Sequence, residues 1–240
     1  MPRPPAPKSK AVKASGPPMG LIGAVTAVVV ALVAVLVYLA ARDDGLDASG
    51  SASALPEGGG LVVNPEVEDV PEVHIYEDFQ CPFCGQLEQA SGQSIVEAAQ
   101  AGDIKLTYTF MSFLDGASGN QSSSRAANAA VCSADVGILP EFVQTVFEQQ
   151  PQEGVGYEDQ VFLDAAESAG LGGDELEEFT GCVEGQDYQD YVQDMATRST
   201  EDGVTSTPTI TVDGEPLSQE QVQQLLSDPT SFEAVLAETQ

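Results

Sequence analysis

Basic residues are scarce in this sequence. Only eight of its 240 residues are Lys or Arg, against 38 Asp or Glu, and beyond residue 42 only Lys105, Arg125 and Arg198 are basic. Because phosphate backbones are bound through basic surfaces, a nucleic acid is excluded as a partner of the main body. The acidic excess predicts a heavily solvated surface, which suits solubility, high salt or a partner with basic patches.

Potential metal ligands are also few, with His74 as the only histidine and with four cysteines. A structural zinc site needs paired Cys or His motifs. Cys81 and Cys84 form one such pair, but Cys132 and Cys182 stand alone. Zinc is therefore the weaker interpretation of the pair, and we expect no metal and no cofactor.

The longest apolar stretch covers residues 21–41 and contains no charge. As a helix it would be about 31 Å long, enough to cross a hydrocarbon core of about 30 Å. Basic residues precede it and Asp43 and Asp44 follow it, which predicts a cytoplasmic N-terminus and an extracytoplasmic main body. The alternative is a cleaved signal peptide, although the stretch exceeds the usual apolar core of about 7–15 residues. Both interpretations export the domain.

The pattern along the chain predicts five segments. A basic tail precedes the membrane-spanning helix, a Gly/Ser/Ala/Asp-rich flexible linker follows it, and an α/β domain is interrupted by an all-helical insertion. Their bounds are 1–20 for the cytoplasmic tail, 21–41 for the transmembrane helix, 42–60 for the linker, 61–115 with 204–240 for the α/β domain, and 116–203 for the insertion.

The α/β domain begins with a βαβ pattern. A short edge strand at Leu61–Val63 precedes a central strand at Val73–Tyr76, a helix from Pro82 to the Gly102 stop, and a strand over Ile104–Phe113. Two strands joined by a helix are expected to pair in parallel with a right-handed crossover.

The second half begins with a series of amphipathic helices and returns to strand at Pro208–Val212. Asp213-Gly214 predicts a hairpin turn, and Ser218 with Gln221 forms a capping box that opens a helix. A last helix carries Phe232, Val235 and Leu236.

The sequence Cys81-Pro82-Phe83-Cys84 lies where the central strand gives way to the helix. Cys81 at the helix start and Cys84 three residues on lie on one face, within disulfide reach. Pro82 suits the first helical position, and the N–H groups and dipole of the helix favour a thiolate at Cys81. Besides a redox pair, an inert disulfide or half of a zinc site remain open.

The order of strand, Cys-Pro-Phe-Cys, helix, strand, helical insertion, Thr207-Pro208, hairpin and final helix resembles DsbA-like thiol:disulfide oxidoreductases from about Val62 to the C-terminus. The resemblance implies a thioredoxin-like fold with an inserted all-helical domain, here preceded by a transmembrane helix. It also implies catalytic Cys81 and Cys84, with a substrate-binding Thr207 and a cis Pro208. A trans proline at a strand start is the alternative.

The sequence departs from the family pattern at two positions. Ile75 stands where many relatives have an acid near the buried sulfur. Glu77, two residues later on the same strand face, is a candidate proton acceptor for Cys84, and a solvated Glu at the strand end is the alternative. Phe83 replaces a histidine common in strongly oxidising relatives and has no donor for a Cys81 thiolate, which predicts a milder oxidant.

Cys132 and Cys182 both fall in predicted helices of the insertion, and we interpret them as a structural disulfide. Two buried free thiols are the alternative.

Together these features predict an extracytoplasmic enzyme that introduces disulfides into unfolded exported proteins containing cysteine. The resemblance implies reoxidation by a quinone-linked membrane partner. A reductase or isomerase with the same site, or a non-enzymatic membrane-tethered module that binds peptides, are the alternative functions.

Overall fold

A computed structural model describes residues 59–239, so the predicted tail and transmembrane helix and nearly all of the linker lie outside the described residues. Within residues 59–239, no helix combines the length and apolar character needed to cross a membrane. The strands are β1 Leu61–Val62, β2 Glu72–Glu77, β3 Lys105–Phe110, β4 Thr209–Val212 and β5 Glu215–Pro216. The helices are α1 Pro82–Leu87, a π-helical turn at Glu88–Gly92, α2 Gln93–Ala101, α3 Phe113–Ser118, α4 Ser122–Asp135, α5 Leu139–Glu148, α6 Asp159–Ser168, α7 Asp174–Gly185, α8 Gln189–Glu201, α9 Gln219–Ser227 and α10 Phe232–Glu238.

The strands form one five-stranded sheet in the order β1-β3-β2-β4-β5. β2 lies at the centre and pairs in parallel with β3, while β1 is antiparallel to β3 and β4 is antiparallel to β2. This arrangement confirms the predicted βαβ unit, the edge strand and the hairpin. The chain thus has a thioredoxin-like α/β fold with a helical region between β3 and β4.

The predicted strand over residues 104–113 is too long at its C-terminal end. β3 stops at Phe110, which pairs with Glu77, the last residue of β2. Beyond that pair β2 offers no further partner to β3, and Phe113 begins the short helix α3, which the sequence pattern did not reveal. The predicted strand is present, but the length of the neighbouring strand decides where pairing ends.

The helix predicted from Pro82 to Gly102 is interrupted by the π-helical turn between α1 and α2. At this turn the Glu88 side chain folds against Gly92, and a Cβ on residue 92 would lie only 2.3 Å from Glu88 Oε2. Gly92 therefore makes room for a carboxyl group that turns into the protein. The predicted stop is confirmed, because Gly102 ends α2 in the left-handed conformation.

The helical region contains the amphipathic helices expected from the sequence. The apolar residues of α5, for example Phe142, Val146 and Phe147, are fully buried. A disulfide joins Cys132 of α4 to Cys182 of α7, with a Cα–Cα distance of 6.0 Å. It ties together two helices that are 50 residues apart in the sequence.

Candidate active site

The Cys-x-x-Cys motif forms the first turn of α1, as predicted. Cys81 is the N-cap residue and Pro82 is the first helical residue. The Cys81 N–H donates to Asp78 O at 2.8 Å, and the Cys81 carbonyl accepts from the N–H groups of Cys84 and Gly85 at 3.1 and 3.2 Å. The backbone on both sides of Cys81 is thus fixed by hydrogen bonds.

The two thiols differ in exposure and in acidity. Cys81 keeps 7% of its surface exposed, whereas Cys84 is fully buried. Hydrogen bonding to the Cys81 sulfur lowers the pKa of Cys81 to about 6 despite partial burial, with the Cys84 thiol as the largest cause, Thr207 next, and the N–H groups of Cys84 and Phe83 after it. Burial raises the pKa of Cys84 well above that of an ordinary thiol. The pair therefore combines a slightly exposed thiolate with a fully buried protonated thiol at neutral pH.

The Thr207–Pro208 peptide bond is cis and lies beside Cys81, with Cys81 Sγ 3.4 Å from Thr207 O. An open groove of about 540 Å³ continues from this loop. Thr205, Ser206 and Pro208 line one part of it, and Leu217 and Val222 line another. The groove offers backbone and apolar side chains beside the cis-proline loop, which suits an extended peptide.

Glu77 is not solvated, so the alternative interpretation of this residue is wrong. It is fully buried because Val73, Ile75 and Glu77 alternate along β2 and all point into the core. Within residues 59–239, neither carboxylate oxygen has a hydrogen-bond partner. Burial raises the pKa of Glu77, and the neighbouring Glu88 and Cys81 raise it further. The charge of Glu77 in turn contributes to the raised pKa of Cys84, so the two groups lie within electrostatic reach.

Two polar groups behind the motif, Glu88 and Tyr108, were not predicted. Burial raises the pKa of Glu88 to about 7, and the oxygens of both side chains lack hydrogen-bond partners in the part of the chain that the structure describes. Burial and the two carboxyl groups raise the pKa of Tyr108. The spacing held a signal for Glu88, because positions 81, 84 and 88 follow the i, i+3, i+7 pattern of one helix face.

Asp78, also missed by the sequence analysis, connects the motif to the helical region. It accepts hydrogen bonds from Ser123 Oγ at 2.6 Å, Gln80 N at 2.9 Å and Leu114 N at 3.0 Å. Burial raises the pKa of Asp78, and these hydrogen bonds oppose the rise. An Asp whose side chain accepts from the N–H two residues later is a recognisable turn signal, but Ser123 is distant in sequence.

Gln150 and Tyr157 approach the motif from the loop between α5 and α6. Gln150 Nε2 lies 2.8 Å from Phe79 O and 3.0 Å from Cys81 O, and Tyr157 Oη lies 3.0 Å from Phe79 O. No sequence pattern indicated either contact, because each joins segments about seventy residues apart.

The remaining residues singled out from the sequence lie in structural contacts. Cys132 and Cys182 are bonded to each other and so are separate from the Cys81–Cys84 pair. His74 Nε2 is hydrogen-bonded to Thr109 Oγ1, and burial lowers the pKa of His74 to about 4. Among residues 59–239, no three His, Cys, Asp or Glu side chains converge in a way that could hold a metal ion.

Known structures share this architecture. The disulfide bond oxidoreductase DsbG of Mycobacterium tuberculosis is similar, with 24% identity and a TM-score of 0.58 over 78% of this chain and 97% of that chain. The thiol-disulfide oxidoreductase MdbA of Actinomyces oris is 19% identical, with a TM-score of 0.63 over 75% and 87% of the two chains. BdbD of Bacillus subtilis is 18% identical, with a TM-score of 0.59 over 79% and 94%. At these identities the likeness establishes the fold.

Comparison with curated protein sequences gives no match. A family model described as thioredoxin matches residues 68–228, which include the Cys81–Cys84 motif, the helical region and the Thr207–Pro208 loop. Since this match covers well over half of the sequence, the chain belongs to the thioredoxin family.

Proposed function

We propose that the protein is an extracytoplasmic thiol:disulfide oxidoreductase that introduces disulfides into exported proteins. The observation that carries the proposal is the pairing of an acidic, accessible Cys81 with a fully buried Cys84 of raised pKa. A thiol of low pKa is a good leaving group, so a mixed disulfide at Cys81 readily resolves toward the substrate disulfide. Similarity of fold to DsbG and MdbA supports the same reaction class.

The reaction begins with the Cys81–Cys84 disulfide. A substrate thiolate attacks Cys81 Sγ, the new mixed disulfide forms, and the bond to Cys84 breaks. The leaving Cys84 takes a proton because its pKa is high. A second substrate thiolate then attacks the substrate sulfur and displaces Cys81 as a thiolate. Two electrons pass from the two substrate thiols to the cysteine pair.

Glu77 is the candidate proton donor and acceptor for Cys84. Its carboxyl is buried without a hydrogen-bond partner, and its raised pKa keeps it protonated well above the pH at which an exposed Glu ionises. It can supply the proton that Cys84 needs on leaving and take one back during reoxidation. Thr207, with its carbonyl beside Cys81, and Pro208, at the groove, are the candidate substrate-binding residues.

The proposed location is the outer face of the cell membrane, with residues 21–41 as a single span and the N-terminus in the cytoplasm. The charge distribution around that segment supports it. A quinone-linked membrane protein is the proposed reoxidising partner, and unfolded exported proteins containing cysteine are the proposed substrates.

The test is oxidation of a reduced, unfolded protein, followed by free thiols and by recovered activity of the substrate. Wild type is expected to oxidise it, and Cys81→Ser and Cys84→Ser are expected to be inactive. If both variants matched wild type, the protein would be a peptide-binding module and the proposal would fail.

An equilibrium titration against glutathione tests the direction. The oxidase proposal expects a potential less negative than about −200 mV. The alternative is a reductase or isomerase, favoured by Phe83, whose 56% exposed ring has no donor for the Cys81 thiolate. A potential near that of thioredoxin, about −270 mV, would favour the reductase and contradict the oxidase proposal.

A further inference from the structure

The side chain of Gln150 bridges the helical region and the redox motif. Its Nε2 atom donates to two backbone carbonyls, Phe79 O at 2.8 Å and Cys81 O at 3.0 Å. Carbonyl oxygens only accept hydrogen bonds, so the amide nitrogen must face them and both of its hydrogens are used. One rigid, planar amide therefore fixes the orientation of the Phe79–Gln80 and Cys81–Pro82 peptide groups.

Gly85 provides the space that Gln150 needs. Gly85 has an ordinary helical conformation and is buried, so its backbone does not require glycine. A Cβ on residue 85 would lie 2.4 Å from Gln150 Oε1 and 3.1 Å from its Cδ, well inside van der Waals contact. Glycine costs about 1 kcal/mol relative to alanine within a helix. The space that the Gln150 amide occupies explains why glycine stands here despite that cost.

The loop that carries Gln150 is fixed at its other end as well. Tyr157 Oη donates to Phe79 O at 3.0 Å, and the Tyr157 N–H donates to Ser122 Oγ at 2.6 Å. Phe79 O thus accepts two hydrogen bonds from one loop, from Gln150 and from Tyr157. The loop therefore fixes the Phe79 carbonyl through two directed hydrogen bonds.

We propose that Gln150 is a positioning residue for the redox site: by holding the Phe79 and Cys81 carbonyls, it aims the first turn of α1 at the Cys81 sulfur. Cys81 is the N-cap residue of α1, so its sulfur stands at the helix end where the first N–H groups lack an i−4 partner. A tilt of the Cys81 peptide group turns the sulfur away from those donors. The inference rests on the proposed redox role of Cys81, but its test reads Cys81 directly.

The first experiment compares Gln150→Ala and Gln150→Glu in the reduced full-length protein. The readout is the pH dependence of Cys81 alkylation by iodoacetamide, with the labelled peptide identified by mass. We expect the apparent pKa of Cys81 to rise in both variants, by about one unit in Gln150→Glu, because a carboxylate cannot donate to the carbonyls and adds negative charge beside the thiolate.

Gln149→Glu is the matched control. Gln149 is exposed, its side chain makes no hydrogen bond within the described residues, and the charge change is identical one position away. The control is expected to titrate like wild type. An unchanged Cys81 pKa in folded Gln150→Ala and Gln150→Glu, or an equal shift in Gln149→Glu, would overturn the proposal.

A second variant, Gly85→Ala, tests the same contact while keeping Gln150. Its added methyl group is expected to displace the amide and raise the Cys81 pKa as Gln150→Ala does. In the double variant Gly85→Ala/Gln150→Ala the added methyl group has no amide to displace. The shifts of the Cys81 pKa in the two single variants are therefore expected not to add. A double-variant shift equal to the sum of the two single shifts would contradict the proposal. This comparison does not need Gln150→Glu, so it can be made even if that variant fails to fold.

These outcomes are separable from the proposed function. If wild type failed to oxidise substrate but the Cys81 pKa depended on Gln150 and Gly85, the oxidase proposal would fall and the positioning role would stand. The reverse result would remove the positioning role alone.

Discussion

At the scale of single residues, the buried carboxyl groups behind the motif are the most unusual feature. Glu77 and Glu88 together leave four carboxyl oxygens without a hydrogen-bond partner, and Tyr108 Oη beside them is also unpaired. Buried polar groups without partners destabilise a fold by about 1–3 kcal/mol each. Because Glu77 lies within electrostatic reach of Cys84, the proposed proton transfer would account for a cost that packing does not explain.

Replacement of Glu77 by Gln is expected to slow substrate oxidation at least about tenfold, since the amide cannot give Cys84 a proton. In wild type the rate of substrate oxidation is expected to fall as rising pH ionises Glu77. In Glu77→Gln this decrease with pH is expected to be absent. Stopped-flow measurement of mixed-disulfide formation between pH 5 and 9 checks both. Glu72→Gln, at the exposed end of the same strand, is the control and should behave as wild type.

Replacement of Glu88 by Gln is expected to stabilise the protein at neutral pH. The folded-state pKa of Glu88 is raised from 4.5 to about 7, so between these values the native state holds a proton that the unfolded state has lost. Stability therefore falls as pH rises through this window, by up to about 1.4 kcal/mol per pH unit. Urea unfolding at pH 5, 6 and 7 gives the free energy of unfolding at each pH. Its decrease with pH should be smaller in Glu88→Gln and unchanged in the exposed-site control Glu167→Gln.

A slope equal to that of wild type in Glu88→Gln would mean that Glu88 ionises normally in the folded protein. Glu77 contributes in the same direction, since its pKa is raised too. For this reason some pH dependence is expected to remain in the single variant.

At the scale of secondary-structure elements, the sequence predicted most of the fold because its signals are local. Alternation indicated β2 and β3, the Asp213-Gly214 turn indicated the hairpin, and the capping box at Ser218 is present in the structure. Helix α3 and the π-helical turn were not predicted, because neither has a local sequence signal. Helix α3 begins where β2 ends and β3 loses its partner, and the π-helical turn contains Glu88, whose side chain turns inward against Gly92.

Loss of the Cys132–Cys182 disulfide is expected to destabilise the protein by about 4 kcal/mol, from the entropy of a loop of this length. The bond joins α4 to α7 across 50 residues. Denaturant unfolding of the Cys132→Ala/Cys182→Ala double variant checks this value. Because the bond is separate from the Cys81–Cys84 pair, the folded double variant should keep the wild-type redox potential, and a shifted potential would contradict that separation.

Asn64 connects the segment after β1 to the turn between α2 and β3. Buried, it donates to Ala99 O and Ile104 O, both at 2.8 Å, and accepts from Leu106 N at 3.0 Å. Asn64→Ala removes all three hydrogen bonds and is expected to cost about 3 kcal/mol. In the comparison variant Asn120→Ala only one bond, from Ser122 N, is lost, so about 1 kcal/mol is expected. Equal losses in thermal or urea unfolding would contradict this account.

At the scale of the whole molecule, the candidate site divides into a part that sequence reveals and a part that it does not. Cys81 and Cys84 share one short motif, and Thr207-Pro208 stands out by its place in the order of motifs. Gln150 and Tyr157 reach the motif only because the helical region folds back over it. Contacts of that kind depend on tertiary packing, so no spacing rule in a single sequence can predict them.

The acidic excess predicts a response of the whole protein to salt. Residues beyond 42 contain only three basic residues against all 38 acids, so like charges repel across the surface. We expect added NaCl to raise the melting temperature through screening, with about 2–4 °C corresponding to 1 kcal/mol. A constant or falling melting temperature between low salt and 1 M NaCl would show that the acids contribute little repulsion in the folded state.

The direction of β1 sets the side from which the chain joins the sheet. β1 runs antiparallel to β3, with Leu61 opposite Tyr108 and Val62 opposite Thr107, so it starts toward the end of β3 that adjoins the end of β2. That end of β2 leads directly to Cys81. A membrane anchor ahead of residue 59, as proposed, would therefore enter the sheet at its edge strand β1, at the same end of the sheet as the redox motif.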